Sequence, residues 1–233
     1  MNQNGMEKKE WKAVIFDLDG TLLYTLEDIA DSVNYILKKY GYKEKTLEEI
    51  RLSLGNGARR LMKLAVPLGE ENKQFEQILQ EYEAYYESHC RRKTRPYPGI
   101  PKLLEQLKQE NIRTAIVSNK GDGAVKALNE IYFSKYTDIA VGERYGMQKK
   151  PAPDTVLEAL KELGTDREHA VYVGDSEVDF KTAANAGMTC ILVTWGFRDK
   201  EQLLQLAPYH LADTPEEIFQ ILTAMEEAEC LQS

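Results

Sequence analysis

Residues 14–22 have the sequence Val14-Ile15-Phe16-Asp17-Leu18-Asp19-Gly20-Thr21-Leu22. An apolar run of strand length ends there in two carboxylates two positions apart, and a glycine follows at once. Open α/β sheets bind ligands beyond the carboxyl ends of their strands, so Asp17 and Asp19 are predicted to lie where chemistry takes place. An EF-hand calcium loop does not fit, because it needs a third oxygen ligand before the glycine and a later glutamate. Taken alone, the segment is also consistent with an acidic turn that has no function.

Short β-prone runs and helix-like stretches alternate through much of the chain. The runs occupy residues 12–16, 113–117, 138–141, 170–173 and 189–193. Helices are predicted over 101–109, over 155–163 with Asp154 as the cap and Gly164 as the stop, and over 180–186 before Gly187. This alternation predicts an α/β fold with a parallel sheet and right-handed crossovers.

The rhythm changes over residues 24–95, where helix-like segments follow one another without a convincing strand. We expect an inserted all-helical domain there, with residues 1–23 and 96–233 forming the α/β core. Apolar stripes at helical spacing are expected to pack in the interior of the insertion. The crossings after Leu23 and over residues 95–99 are the predicted hinges.

A second acidic segment, Gly174-Asp175-Ser176-Glu177-Val178-Asp179, follows the apolar run at 170–173. The carboxyl ends of parallel strands share one edge of a sheet, so these acids are expected near Asp17 and Asp19. Carboxylates, carbonyls and water are the hard oxygen ligands that suit Mg²⁺. Zinc is not indicated, since the three histidines have no metal-ligand spacing and the three cysteines form no C-x-x-C pair.

Two more predicted strand ends carry groups that can hold phosphate oxygens. Ser118 and Asn119 follow residues 113–117, and Lys150 precedes the Pro151-Ala152-Pro153-Asp154 helix start. Each signal is weak alone, because a serine at a strand end is often a helix cap and a lysine is usually solvated. Their combination with the two acidic segments, in this order, is the strong signal.

The charge and hydropathy of the chain limit the kinds of partner that it is expected to bind. The formal net charge of −8 opposes the attraction to phosphate that nucleic-acid-binding proteins use, so duplex DNA or RNA is not expected as a partner. Residues 1–12 are polar, and no segment has the apolar length of a membrane span. We therefore expect no membrane partner, a cytoplasmic location, and a monomer or homodimer.

The chain resembles the haloacid-dehalogenase-like superfamily, most closely its phosphoglycolate-phosphatase-like members. The resemblance rests on four motifs in this order: D-x-D-G-T, a serine at a strand end, Lys-Pro, and G-D-x-x-x-D. The resemblance covers nearly the whole chain. It implies a Rossmannoid core with a mobile helical cap inserted after the first strand, and Mg²⁺ as cofactor. The expected function is hydrolysis of a small phosphorylated metabolite, such as phosphoglycolate or a sugar phosphate.

The resemblance also implies residue roles. Asp17 is the expected nucleophile, and Asp19 the expected acid and base. Mg²⁺ is expected on Asp17, Asp175 and the backbone carbonyl of Asp19, with Asp179 supporting the site. Ser118 is expected to orient the transferred group and Lys150 to neutralise charge. Asn119, beside Ser118, is a further candidate for substrate binding. The dehalogenases lack the acid at position 19, and phosphonoacetaldehyde hydrolases carry a small residue there, so phosphate esters are preferred.

Several alternatives stay open at the level of sequence. Gly55 and Gly57 resemble the loop that related caps lower over the substrate, but a plain turn is equally consistent. The basic cluster over residues 91–95 and the loop from Trp195 are candidate substrate contacts without a decisive signal. A β-phosphoglucomutase-like mutase shares every core residue, and a pyrophosphatase or nucleotidase of the same superfamily is a further alternative. A catalytically silent binding protein is the rival of another class.

Overall fold

The computed structural model describes residues 10–137 and 139–232 of the chain. Part of the polar start and Asp138, the predicted first residue of a strand, therefore lie outside the described residues. Eight strands are found within the described part: β1 (Ala13–Phe16), β2 (Leu23–Tyr24), β3 (Arg95–Pro96), β4 (Arg113–Gly121), β5 (Ile139–Glu143), β6 (Ala170–Gly174), β7 (Thr189–Val193) and β8 (His210–Ala212).

Ten α-helices connect or flank these strands in the same residues. They are α1 (Leu26–Lys39), α2 (Leu47–Arg51), α3 (Gly57–Ala65), α4 (Phe75–His89), α5 (Ile100–Gln109), α6 (Asp122–Tyr132), α7 (Asp154–Leu163), α8 (Glu177–Ala186), α9 (Lys200–Leu204) and α10 (Pro215–Gln232). No helix in the described part of the chain is both long and apolar enough to cross a membrane.

Six strands form one sheet in the order β5-β4-β1-β6-β7-β8, and each neighbouring pair is parallel. This confirms the predicted Rossmannoid α/β fold. The central strand β1 is buried on both faces: Val14 and Phe16 belong to one apolar core, and Ala13 and Ile15 to the other. A continuous apolar run is what a parallel strand covered by helices on both sides requires.

Most predicted boundaries agree with the structure, and the differences have local causes. Helix α7 begins at Asp154 itself, with Pro153 before it, so Asp154 is not the cap. Helix α8 begins three residues earlier than predicted, because the hydroxyl of Ser176 accepts the N–H of Asp179 and caps the helix there. Gly164 and Gly187 end these helices with φ of 64° and 68°, as predicted.

The helices α1–α4 lie between β2 and β3, which form a separate antiparallel pair. This pair stands at the two crossings where the insertion was expected to leave and rejoin the core. The stripe residues Ile29 and Val33 of α1 and Ile78 and Tyr82 of α4 are buried, as expected for residues in the interior. The division into two domains at these boundaries stays a prediction.

Candidate active site

The carboxyl-terminal edge of the sheet gathers the chemical groups predicted from the four segments. Asp17 directly follows β1, and Asp175 directly follows β6. Ser118 lies in β4, the strand between β1 and the edge strand β5. A cavity of about 670 Å³ opens between this edge and the inserted helices, with Ala58 and Leu61 of α3 in its wall. Asp17, Asp19, Ser118, Asn119, Lys150 and Asp175 all line it.

Lys150 is the centre of the polar network. Its Nζ lies 2.7 Å from Oδ1 of Asp17 and 2.8 Å from Oδ1 of Asp179, and it donates to the hydroxyl of Tyr172 at 3.1 Å. An ammonium has three N–H donors. All three are therefore used within the protein, and the lysine holds Asp17 and Asp179 in fixed positions. Because both the ammonium and the two carboxylates are buried, this ion pair is little screened by solvent.

Tyr172 was not predicted as part of the site. Its side chain is fully buried in β6, and its hydroxyl donates to Oδ1 of Asp179 at 2.8 Å. The hydroxyl of Ser176 donates to the other oxygen, Oδ2, at 2.5 Å. The available signal was a tyrosine within an otherwise apolar buried strand, since a buried phenol needs a hydrogen-bond partner.

Asp175 is held by backbone and by two close glycines. Its Oδ2 accepts the N–H of Phe197 at 2.7 Å, and its Oδ1 accepts the hydroxyl of Thr21 at 3.3 Å. Gly20 and Gly196 approach the carboxyl group so closely that a Cβ at either position would overlap with it. The loop after Trp195 thus contributes a backbone donor to the site, while its contact with substrate stays an open question.

Replacing Gly196 by alanine is expected to destabilise the fold by about 1–3 kcal/mol, because the added methyl group must displace the buried Asp175. Denaturant unfolding of the purified variant measures this loss. Gly121→Ala is the matched control, since a Cβ there meets nothing within 4 Å. Equal free energies of unfolding for both variants would contradict the close packing around Asp175.

The three acids carry more negative charge than their surroundings balance. One oxygen from each of Asp17, Asp175 and Asp179 lies within 4.8 Å of the others, and all three residues are buried. Burial and the negative charge of Asp179 raise the pKa of Asp175 to about 7. Burial also raises the pKa of Asp17 well above its usual value, although Lys150 opposes this.

The pKa of Asp179 is lowered instead; burial would raise it, but the charge of Lys150 and hydrogen bonds from Lys150, Ser176 and Tyr172 outweigh that effect. When all three carboxyl groups are ionised, the single ammonium of Lys150 leaves an excess of two negative charges, and the raised pKa values of Asp17 and Asp175 reflect that repulsion together with burial. A divalent cation with a preference for oxygen ligands fits this donor set and supplies the missing charge.

Asp19 lies apart from the three acids. Its side chain is 20% exposed and forms an ion pair with Lys120, whose Nζ is 3.1 Å from Oδ1 of Asp19. The structure therefore separates the two aspartates of the first segment: Asp17 faces Lys150, and Asp19 faces a different lysine. Lys120 directly follows Asn119 in the sequence and was not predicted as a site residue.

Ser118 and Asn119 have different surroundings. Ser118 is buried in the cavity wall, and its hydroxyl accepts the N–H of Lys120 at 3.2 Å. The side chain of Asn119 accepts the N–H of Lys150 at 2.8 Å, and donates to the carbonyls of Lys150 at 3.0 Å and Gly55 at 3.1 Å. Asn119 thus holds the Lys150 segment and the glycine loop together, and its contact with substrate stays a prediction.

The loop that contains Gly55 and Gly57 packs directly against the core. Gly55 and Gly57 have φ of 106° and 80°, a conformation that favours glycine. A Cβ on Gly57 would lie 3.2 Å from the carbonyl oxygen of Asn119, so a side chain there is also poorly accommodated. Arg198 donates to the carbonyl of Leu54 at 2.8 Å and pairs with Glu177, which ties the loop to α8.

The basic cluster lies elsewhere. Lys93 pairs with Asp31 and Arg95 with Glu27, both on α1, and no member of the cluster is in the cavity wall. These pairs give the two cations partners within the insertion. The sequence left the cluster open as a candidate substrate contact, and its described ion pairs do not connect it to the cavity.

Comparison with known proteins agrees with the geometry. Residues 14–193 match the family described as haloacid dehalogenase-like hydrolase. A phosphoglycolate phosphatase of Aquifex aeolicus is 34% identical over 187 residues, which cover 80% of this chain and 86% of the relative. A protein provisionally named as the pyrophosphatase PpaX, from Caldanaerobacter subterraneus subsp. tengcongensis, is 33% identical over 219 residues, or 93% of this chain and 97% of the relative.

Solved structures show the same likeness. A crystal structure from Lactobacillus delbrueckii subsp. bulgaricus, provisionally described as a phosphoglycolate phosphatase, has a TM-score of 0.85 and 34% identity. The match covers 91% of this chain and 98% of that one. The resemblance inferred from the four motifs is confirmed. The chain belongs to the haloacid dehalogenase-like hydrolases, as a phosphatase of the phosphoglycolate-phosphatase-like kind.

Proposed function

We propose that the chain is an Mg²⁺-dependent phosphatase that hydrolyses a small organic phosphate monoester through a phosphorylated Asp17. The observation that carries this proposal is the position of Asp17 in the cavity wall, paired with Lys150 and adjacent to two more buried acids. A nucleophilic carboxylate needs both its own charge and the charge of the phosphate neutralised before attack. Lys150 provides part of this, and the excess of acids is suited to a divalent cation.

The side chains of Asp17 and Asp175, with the backbone carbonyl of Asp19, are proposed to hold Mg²⁺, and Asp179 to support them. The bound ion would supply charge stabilisation for the phosphoryl oxygens. Asp175 is prepared for this task by Phe197 and Thr21, which fix its two oxygens. Ser118, in the same wall, is proposed to orient the transferred group.

In the first step, an oxygen of Asp17 forms a bond to phosphorus while the bond from phosphorus to the ester oxygen breaks. Asp19 gives its proton to the departing oxygen, so an alcohol leaves. In the second step, water attacks phosphorus and Asp19 takes a proton from it. Phosphate is released and the Asp17 carboxylate is restored, so one ester and one water yield one alcohol and one phosphate.

The inserted helices are proposed to act as a cap domain over residues 24–95 that closes the cavity, with the core over 1–23 and 96–233. Gly55 and Gly57 are proposed to contribute to substrate binding through this loop. The names of the two relatives point to different small phosphates, so phosphoglycolate and pyrophosphate are both candidate substrates for this chain. A small phosphorylated metabolite is the proposed partner in either case.

Metal removal tests the proposal. Protein treated with EDTA is expected to release almost no phosphate from p-nitrophenyl phosphate. Added Mg²⁺ should restore the release, because the cation balances the negative charge of the buried aspartates. Calcium is the comparison ion, since it prefers larger and more flexible oxygen shells. Undiminished release in EDTA would contradict metal dependence.

The substrate is then sought among phosphoglycolate, pyrophosphate, sugar phosphates and nucleotides, with phosphate release measured at saturating Mg²⁺. We expect kcat/KM for a small monoester to exceed that for nucleotides. Conversion of a sugar phosphate to its isomer without phosphate release would point instead to the mutase.

A further inference from the structure

Lys120 has no part in the proposed chemistry, yet it is among the least exposed lysines of the site. Its side chain is 8% exposed and lies in the cavity wall. The ammonium is 3.1 Å from Oδ1 of Asp19. Because both partners are largely withdrawn from solvent, this pair is screened less than an ion pair on the surface.

The same ammonium reaches the inserted helices. Nζ of Lys120 donates to the hydroxyl of Tyr86 at 2.6 Å, and it lies 4.2 Å from the centre of that ring. Tyr86 is a buried residue of α4 and also lines the cavity. Lys120 therefore joins Asp19 at the sheet edge to a helix of the insertion, across the cavity in which the substrate is expected.

We infer that Lys120 is a positioning residue for Asp19, and that Tyr86 is the contact through which the inserted helices hold Lys120 in place. The inference rests on the proposed role of Asp19 as the proton donor. With Oδ1 of Asp19 engaged by the lysine, Oδ2 is the oxygen left to face the departing group. The proton donor is then oriented when the helices lie against the sheet edge, as they do in this structure.

The two lysines of the site, Lys150 and Lys120, contact different acids. Lys150 contacts Asp17 and Asp179, whereas Lys120 contacts Asp19 and Tyr86. Loss of Lys120 should therefore impair proton transfer and spare the attack of Asp17 on phosphorus. That difference can be measured, because only a basic departing oxygen needs a proton in order to leave.

The experiment compares Lys120→Met with the native protein in single-turnover formation of the phosphoenzyme. Ethyl phosphate has a basic leaving group, and p-nitrophenyl phosphate does not. We expect Lys120→Met to slow the reaction of ethyl phosphate by about 10- to 100-fold and that of p-nitrophenyl phosphate by less than about 3-fold. Tyr86→Phe, which keeps the ring, should show the same pattern with a smaller loss.

Two further variants separate positioning from general damage. Lys120→Arg keeps a charged donor and should recover part of the rate with ethyl phosphate. Lys149→Met is the matched control. This lysine pairs with Glu143 at 2.7 Å, whereas the ion-pair partner of Asp19 is Lys120. Its rates with both esters should equal those of the native protein.

The outcomes are distinguishable. The inference is overturned if Lys120→Met slows phosphoenzyme formation equally from both esters while Asp19→Asn still slows ethyl phosphate more than p-nitrophenyl phosphate. The proposed function then stands, because Asp19 keeps its role as the proton donor. Loss of that dependence in Asp19→Asn itself would overturn the role of Asp19 and the inference with it. If Lys120→Met does not fold, Tyr86→Phe decides, and equal slowing of both esters in that variant rejects the inference.

Discussion

Asp17→Asn is expected to abolish phosphate release, with a loss of at least about 10³-fold in kcat, because an amide oxygen is a poor nucleophile toward phosphorus. Purified variant and native protein are compared with p-nitrophenyl phosphate at saturating Mg²⁺. No phosphoenzyme should form in the variant, which mass spectrometry of the intact protein can verify.

The fold should survive this change. Burial makes ionised Asp17 unfavourable in the metal-free protein, as its raised pKa indicates, and asparagine is neutral and nearly the same size. The side-chain oxygen of asparagine can still accept the hydrogen bond from Lys150, so we expect the metal-free variant to remain folded. Binding of beryllium fluoride, which mimics a phosphoryl group on the carboxylate, should be lost. Substantial hydrolysis by a folded Asp17→Asn variant would remove Asp17 from the role of nucleophile.

Asp19→Asn is expected to fail in a different way, because Asp19 is proposed to move protons and not to bond to phosphorus. General acid–base catalysis is worth on the order of 10²–10⁴ in rate. The single-turnover rate of phosphoenzyme formation from ethyl phosphate should fall within that range. The rate from p-nitrophenyl phosphate should fall far less, since its leaving group departs without a proton.

Measuring the first step alone isolates proton donation from the later activation of water. With p-nitrophenyl phosphate, the variant should then accumulate phosphorylated Asp17, because the water in the second step lacks its base. Native protein under the same conditions is the control for accumulation. Equal slowing of the first step with both esters would indicate damage to the metal site in place of a lost proton donor.

The sheet and its catalytic edge were largely predictable because their signals are local. Five apolar runs became β1, β4, β5, β6 and β7, since a strand buried on both faces must be apolar throughout. Strands β2, β3 and β8 escaped prediction because two or three residues carry too little pattern. Strand β4 continues to Gly121, beyond the predicted end, after a register shift against β5.

The sequence was enough to predict the α/β class and the run of helices between the first two apolar runs. It also predicted that the acids meet, because parallel topology brings all carboxyl ends to one edge. The partners within the site emerged only in three dimensions. Tyr172 with Lys150, Phe197 with Asp175, and Tyr86 with Lys120 are separated by 22, 22 and 34 positions in the chain. Groups so far apart in the chain meet through the packing of strands, loops and inserted helices, and no local pattern of residue types encodes that packing.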